Sequence, residues 1–242
     1  MADFVDVYGL PGFREPVSSI LHLLGAVFAA GYAPALVRRG LKHGCSPWPL
    51  VLFACSCVLL LSLSGVYHMF PPGGVVRPIM KRLDVAAIFV LIAATSTPLY
   101  VQLFKGRART LLLLLIWTIA IVGLTLRTIY FNSFSPWFGL SIFIAMGWIG
   151  AAAAFVLWRR YGFNYMKLLF AGGFAYTLGA VGLGLGYPTP IPGFVGPHEV
   201  WHIAVLVGIA CHWTFIWQIA GGPPTPHHDW DETVPYQWEG DE

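Results

Sequence analysis

The chain has 242 residues, 57% of them hydrophobic and 10% charged, with a formal net charge of +3 and a mean hydropathy of +0.70. Soluble domains carry roughly 25% charged residues, so this composition excludes a water-soluble globular fold and leaves a bilayer to accept the apolar surface. The small net charge says little about partners, and with no basic patch in the sequence no nucleic-acid partner is expected.

In chain order, residues 1–16 form an N-terminal segment. It carries Asp3 and Asp6 in place of a basic patch, and no small-residue cleavage site follows a short apolar core. The first apolar stretch is therefore expected to stay as an anchor. Seven such stretches follow, at about 18–37, 48–70, 82–104, 108–127, 136–158, 166–187 and 197–220, each near the roughly 20 residues that span a bilayer as a helix. Charged or Pro/Gly-rich breaks separate them, among them Arg38-Arg39, Pro71 to Gly74, Lys105 to Arg107 and Arg159-Arg160. The unbroken runs lack the period-two alternation of barrel strands. Helices satisfy their own backbone groups in lipid, so the expected fold is all-α, a seven-helix membrane bundle over residues 17–220.

Cys55 and Cys57 lie two apart on the second predicted span and so face nearly opposite ways. With Cys45 and Cys211 they show no disulfide framework. The sixth span is rich in glycine and alanine, which permits close helix packing. Residues 221–242, with Pro223, Pro224, Pro226 and six acids, read as a disordered acidic tail, and His227-His228 there as solvated.

Between Glu15 and Asp229 the chain has only two acidic residues, Asp84 and Glu199. Ionisable groups within spans are costly and usually functional. Asp84 begins the third predicted span, His68 ends the second, and His198, Glu199 and His202 begin the seventh. Antiparallel succession brings all five to one membrane face. His198 and His202, four apart, share a helix face about 6 Å apart along the axis, and Ser64 and His68 have the same spacing. Three neutral imidazoles from His68, His198 and His202 would leave the fourth position of a zinc ion open to water, as a catalytic site needs. Asp84 could then hydrogen-bond that water or orient a ligand histidine. A single intramembrane histidine is ordinarily a satisfied bridge between helices, the reading applied to His22 and His212.

Residues 198–202 match the His-Glu-x-x-His pattern of zinc proteases, where the glutamate is a general base. Those enzymes take a third ligand downstream, and after His202 the only acids lie in the tail. Glu199 is therefore read as an acid at a helix N-terminus.

Ser64-x-x-x-His68, Asp84 and His198-x-x-x-His202 followed by His212, with Glu15 and the Ser19/His22/Gly25 stretch, resemble the hemolysin III branch of the progestin and adipoQ receptor family, part of a wider group with the alkaline ceramidases. The resemblance implies seven helices, zinc on His68, His198 and His202, Asp84 holding the zinc water, and Ser64 supporting it or the reacting carbonyl. It also implies a choice among lipid amide hydrolysis, ligand reception and haemolysis. The expected function is zinc-dependent hydrolysis of an amide or ester in a lipid-like substrate, with Asp84 and Ser64 as candidate catalytic residues. The alternatives are a receptor or regulator with structural zinc, or a membrane-active haemolysin. The spans lack a polar stripe to line a pore. The expected partners are membrane lipids and a lipid-like small molecule.

Loops after the first, third and fifth spans hold Arg38, Arg39, Lys42, Lys105, Arg107, Arg109, Arg159, Arg160 and Lys167. The opposite face holds Arg14, Arg77, Lys81, Arg82 and Arg127. The excess puts the first group and the C-terminus in the cytoplasm, with the metal face outside a bacterial inner membrane. The receptor relatives imply the opposite side for the metal.

Overall fold

The computed structural model describes residues 7–133 and 135–222. The acidic tail from residue 223 onward, with His227-His228, and Asp3 and Asp6 lie outside the described residues. Seven helices follow one another: α1 (Pro16–Lys42), α2 (Pro47–Tyr67), α3 (Val76–Leu103), α4 (Gly106–Ile129), α5 (Pro136–Tyr161), α6 (Phe163–Leu185) and α7 (Pro197–Ile219). All seven are long and apolar enough to cross a membrane. No strand occurs among the described residues. The only bridges there are the isolated pairs Leu10–Phe13 and Ile191–Val195.

Local chemistry sets the helix ends. Pro16, Pro47 and Pro197 stand at the first helical position, where the missing N–H is no loss and the fixed φ suits the helix. Gly186 ends α6 in the left-handed region, at φ 69°, where a Cβ would be strained. The chief departure from the expected boundaries is α3, which starts at Val76 rather than near 82. Arg77, Lys81 and Arg82 lower the hydropathy of its first turns without interrupting helix, because a helix bonds its backbone internally whether or not lipid surrounds it. Asp84 therefore sits two turns inside α3 and not at its start.

Each helix packs on its sequence neighbours, α7 returns to α1, and α3 also reaches α5 and α7. Leu36, Phe53, Phe89, Ile116, Met166 and Phe215 are fully buried between them. α6 and α7 lie close, with Gly179 facing Ala204 and Trp201, the use of small residues expected from the sequence. Apolar side chains such as Leu111, Leu114, Ile121 and Val122 of α4 point outward, as a lipid-facing helix requires. Trp48, Trp137 and Tyr187 are exposed near helix ends, where amphipathic rings suit the headgroup level. Cys55 is exposed and Cys57 buried, and all four cysteines are free thiols.

Candidate metal centre

The site is assembled where the ends of α2 and α7 meet the start of α1. His68 is the first residue after α2, held by its N–H to the Ser64 carbonyl at 3.1 Å. His198 and His202 occupy the first two turns of α7. The N-terminal segment is stitched to the end of α2 through Glu15 N–H to the His68 carbonyl, 3.0 Å, and Arg14 N–H to the Met69 carbonyl, 3.3 Å. Tyr8 N–H donates to the Gly193 carbonyl at 2.8 Å, which ties the same segment to the loop before α7.

The three histidines expected to bind metal do come together. Nε2 of His198 lies 3.4 Å from Nε2 of His68 and 3.0 Å from Nε2 of His202, and the three ligand atoms lie within 4.8 Å of one another. His68 and His202 are buried and His198 is half-buried. Zinc–nitrogen bonds of about 2.0–2.1 Å in tetrahedral geometry separate ligand nitrogens by roughly 3.3 Å, so the spacing fits a metal of that size. The donor chemistry agrees. A neutral imidazole offers one N–H and one lone pair, and Nδ1 of both His68 and His202 is already engaged elsewhere. Three converging Nε2 lone pairs would repel one another without a cation between them. The cluster could therefore hold a metal ion.

Outside the triad, the Nδ1–H of His68 donates to the Glu15 carboxylate, whose other oxygen accepts from Arg77. Arg77 also donates to the Phe70 carbonyl and lies 4.9 Å over the Tyr67 ring. Burial works to raise the Glu15 carboxyl. The hydrogen bonds donated by His68 and Arg77 outweigh it and hold the group below its ordinary 4.5. Glu15 is thus a fixed anion, and it turns Nε2 of His68 inward, the arrangement a metal-ligating histidine ordinarily has. Neither Glu15 nor Arg77 was assigned a role from the sequence. The signal for Glu15 was its place just before the first span, on the same face as His68; Arg77 counted only as a loop charge.

Asp84 is not one of the triad. Its carboxylate takes a hydrogen bond from the buried Ser64 hydroxyl. Ser64, Asp84, His22 and His202 line one end of a cavity whose wall continues through Leu60, Ile88, Leu91, Phe143 and Phe170 to His212. His202 and His212 are ten residues apart on α7, about 15 Å along the axis. The cavity is therefore mostly apolar, with the Ser64, Asp84, His22 and His202 group at one end and His212 at the other.

Glu199 faces away from this chemistry. Its carboxylate accepts from the Gly196 N–H at 2.9 Å and from the Ser18 hydroxyl at 3.1 Å, capping α7 and joining it to α1. His212 bridges helices as expected, bonding the Leu169 carbonyl through Nε2 at 3.1 Å. His22 also bridges helices as expected, from α1 to α7, but only one of its two nitrogens is satisfied. Its Nε2 lies 3.0 Å from Nδ1 of His202, and its own Nδ1 is buried with no partner among the described residues.

Residues 12–213 match the model of the haemolysin-III related family. The chain is 30% identical to "Hemolysin-3" of Bacillus cereus over 199 residues, covering 81% of this chain and 87% of that protein. It is 27% identical to "Hemolysin-3 homolog" of Bacillus subtilis over 200 residues, covering 81% and 90%. Joined to the seven apolar helices, the match shows that this chain is a multi-pass integral membrane protein belonging to the haemolysin-III related family.

Proposed function

We propose that the protein is a zinc-dependent hydrolase of an amide or ester bond in a lipid-like substrate, working in a bacterial plasma membrane. One observation carries the reading: a His triad, a serine-bonded aspartate and the head of a long apolar cavity share one end of the bundle. His68, His198 and His202 would hold the ion through Nε2. Zinc supplies Lewis acidity, which polarises a carbonyl and acidifies water. Asp84 accepts a proton from the attacking water as general base and returns it to the departing amine or alkoxide. The Ser64 hydroxyl holds the Asp84 carboxylate in place, and the apolar wall binds the acyl chain and excludes water. An amphipathic substrate suits this layout, its polar head at Asp84 and its chain toward His212.

A structural role for zinc is the second reading. The observation behind it is that α2 packs on α1 and α3 while α7 packs mainly on α6, so an ion on His68, His198 and His202 would staple two helices with little direct contact. Such a protein would be a receptor or regulator. The test is hydrolysis of ceramide-like amides and lipid esters by detergent-purified protein, with zinc measured on the same samples. About one zinc per chain with turnover is expected. Fully loaded protein that is inert on a broad lipid panel sinks the hydrolase and leaves the staple. Equal zinc in wild type and His202→Ala removes His202 from the ligand set.

A further inference from the structure

The pairing of His22 with His202 has a chemical consequence. His22 lies on α1 and is buried, as is His202 on α7. Nδ1 of His202 is 3.0 Å from Nε2 of His22, and the rings meet edge to face at 4.2 Å between centroids. Nε2 of His202 belongs to the converging triad. Nε2 of His22 is also 3.4 Å from the His202 carbonyl. The second nitrogen of His22, Nδ1, is buried without a partner among the described residues.

Two proton arrangements are open to this pair. In one, His22 carries its proton on Nε2 and donates to His202. Nδ1 of His202 is then the acceptor, and its proton sits on Nε2, the nitrogen that must face the ion. In the other, His202 carries its proton on Nδ1 and donates to Nε2 of His22, leaving Nε2 of His202 as a free lone pair. Only the second arrangement allows His202 to ligate, because a neutral imidazole has one lone pair. It forces the proton of His22 onto Nδ1, where it has no partner. A buried N–H without an acceptor is unfavourable, so folding alone gives no reason for this placement. Metal-ligating histidines normally give their outer N–H to a carboxylate, a carbonyl or water. His68 has Glu15 in that role, and His202 has only another histidine.

We infer that His22 is the positioning residue for the ligand His202, accepting its Nδ1–H through Nε2 and holding its own proton on Nδ1 whenever the site is loaded. The inference rests on the metal reading above, not on hydrolysis. The chemistry demanded of position 22 is a hydrogen-bond acceptor. Glutamine supplies one; leucine of similar bulk does not.

The experiment has two arms on full-length detergent-purified protein. In the first, zinc affinity is measured by competition with a chromophoric chelator for wild type, His22→Leu, His22→Gln and His212→Leu. His22→Leu should lose about 10- to 100-fold in affinity, the usual effect of removing an outer hydrogen-bond partner. His22→Gln should recover most of it, and His212→Leu, at the far end of the cavity, should match wild type. In the second arm, nitrogen-15 histidine spectra of zinc-loaded wild type, with the His22 signal assigned by its loss in His22→Gln, should show His22 as the Nδ1–H tautomer. This arm stands even where His22→Leu does not fold. Wild-type affinity in folded His22→Leu, or an Nε2–H tautomer at His22 in loaded protein, overturns the inference alone. Wild-type protein that binds no zinc overturns the metal reading, and the inference with it.

Discussion

Glu15 and His68 are joined side chain to side chain and backbone to backbone: the carboxylate accepts the Nδ1–H, and the Glu15 N–H bonds the His68 carbonyl at 3.0 Å. The residue before the first span thus sets the ring orientation of the residue after the second. Glu15→Gln keeps the size but loses the charge that holds both His68 and Arg77. Zinc affinity is expected to fall about 10- to 100-fold, read by chelator competition. Unchanged affinity would mean that Glu15 only fastens the N-terminal segment to α2.

Asp84 and His68 should fail differently. Asp84→Asn preserves shape but removes the base, so zinc content and folding should persist while turnover drops about a hundred- to ten-thousandfold. His68→Ala removes a ligand, so zinc content and thermal stability should fall together. The measurements are elemental analysis, a melting curve and lipid hydrolysis on the same preparations. Full turnover in Asp84→Asn would refute the role given to this residue.

Glu199 separates this centre from that of a zinc protease sharing the His-Glu-x-x-His spacing. Its two oxygens are engaged by Gly196 and Ser18. Glu199→Gln should cost stability by about 1 kcal/mol, as the loss of a helix cap does, and leave zinc content and turnover as in wild type. Loss of turnover at unchanged stability would restore Glu199 as a base.

Membrane orientation follows from the loop charges. A reporter active only in the cytoplasm, fused after Glu242, should be active, because the excess of Lys and Arg lies on the C-terminal face. Activity of an export-only reporter at that position would put the metal face in the cytoplasm.

The number and type of elements were legible in the chain alone. Lipid offers the backbone no hydrogen-bond partners, so each apolar run long enough to span had to be helix, and all seven are. The ligand triad was legible too. The His198/His202 spacing is a local property of one helix, and alternation of direction brings the end of α2 to the start of α7. The start of α3 was not legible, since hydropathy marks where lipid ends and not where helix does; Asp84 accordingly lies two turns inside the helix and not at its start. The partners of the ligands were hidden as well. α1 is apolar on nearly every side, so no stripe in its sequence reveals which way it is rotated. Whether His22 meets α6, lipid or His202 depends on that rotation, and Glu15 meets His68 only because the preceding segment folds back over the end of α2. Helix identity and spacing are set by bonds within each segment, whereas rotation about a helix axis is set by packing between segments, and only the assembled bundle contains that information.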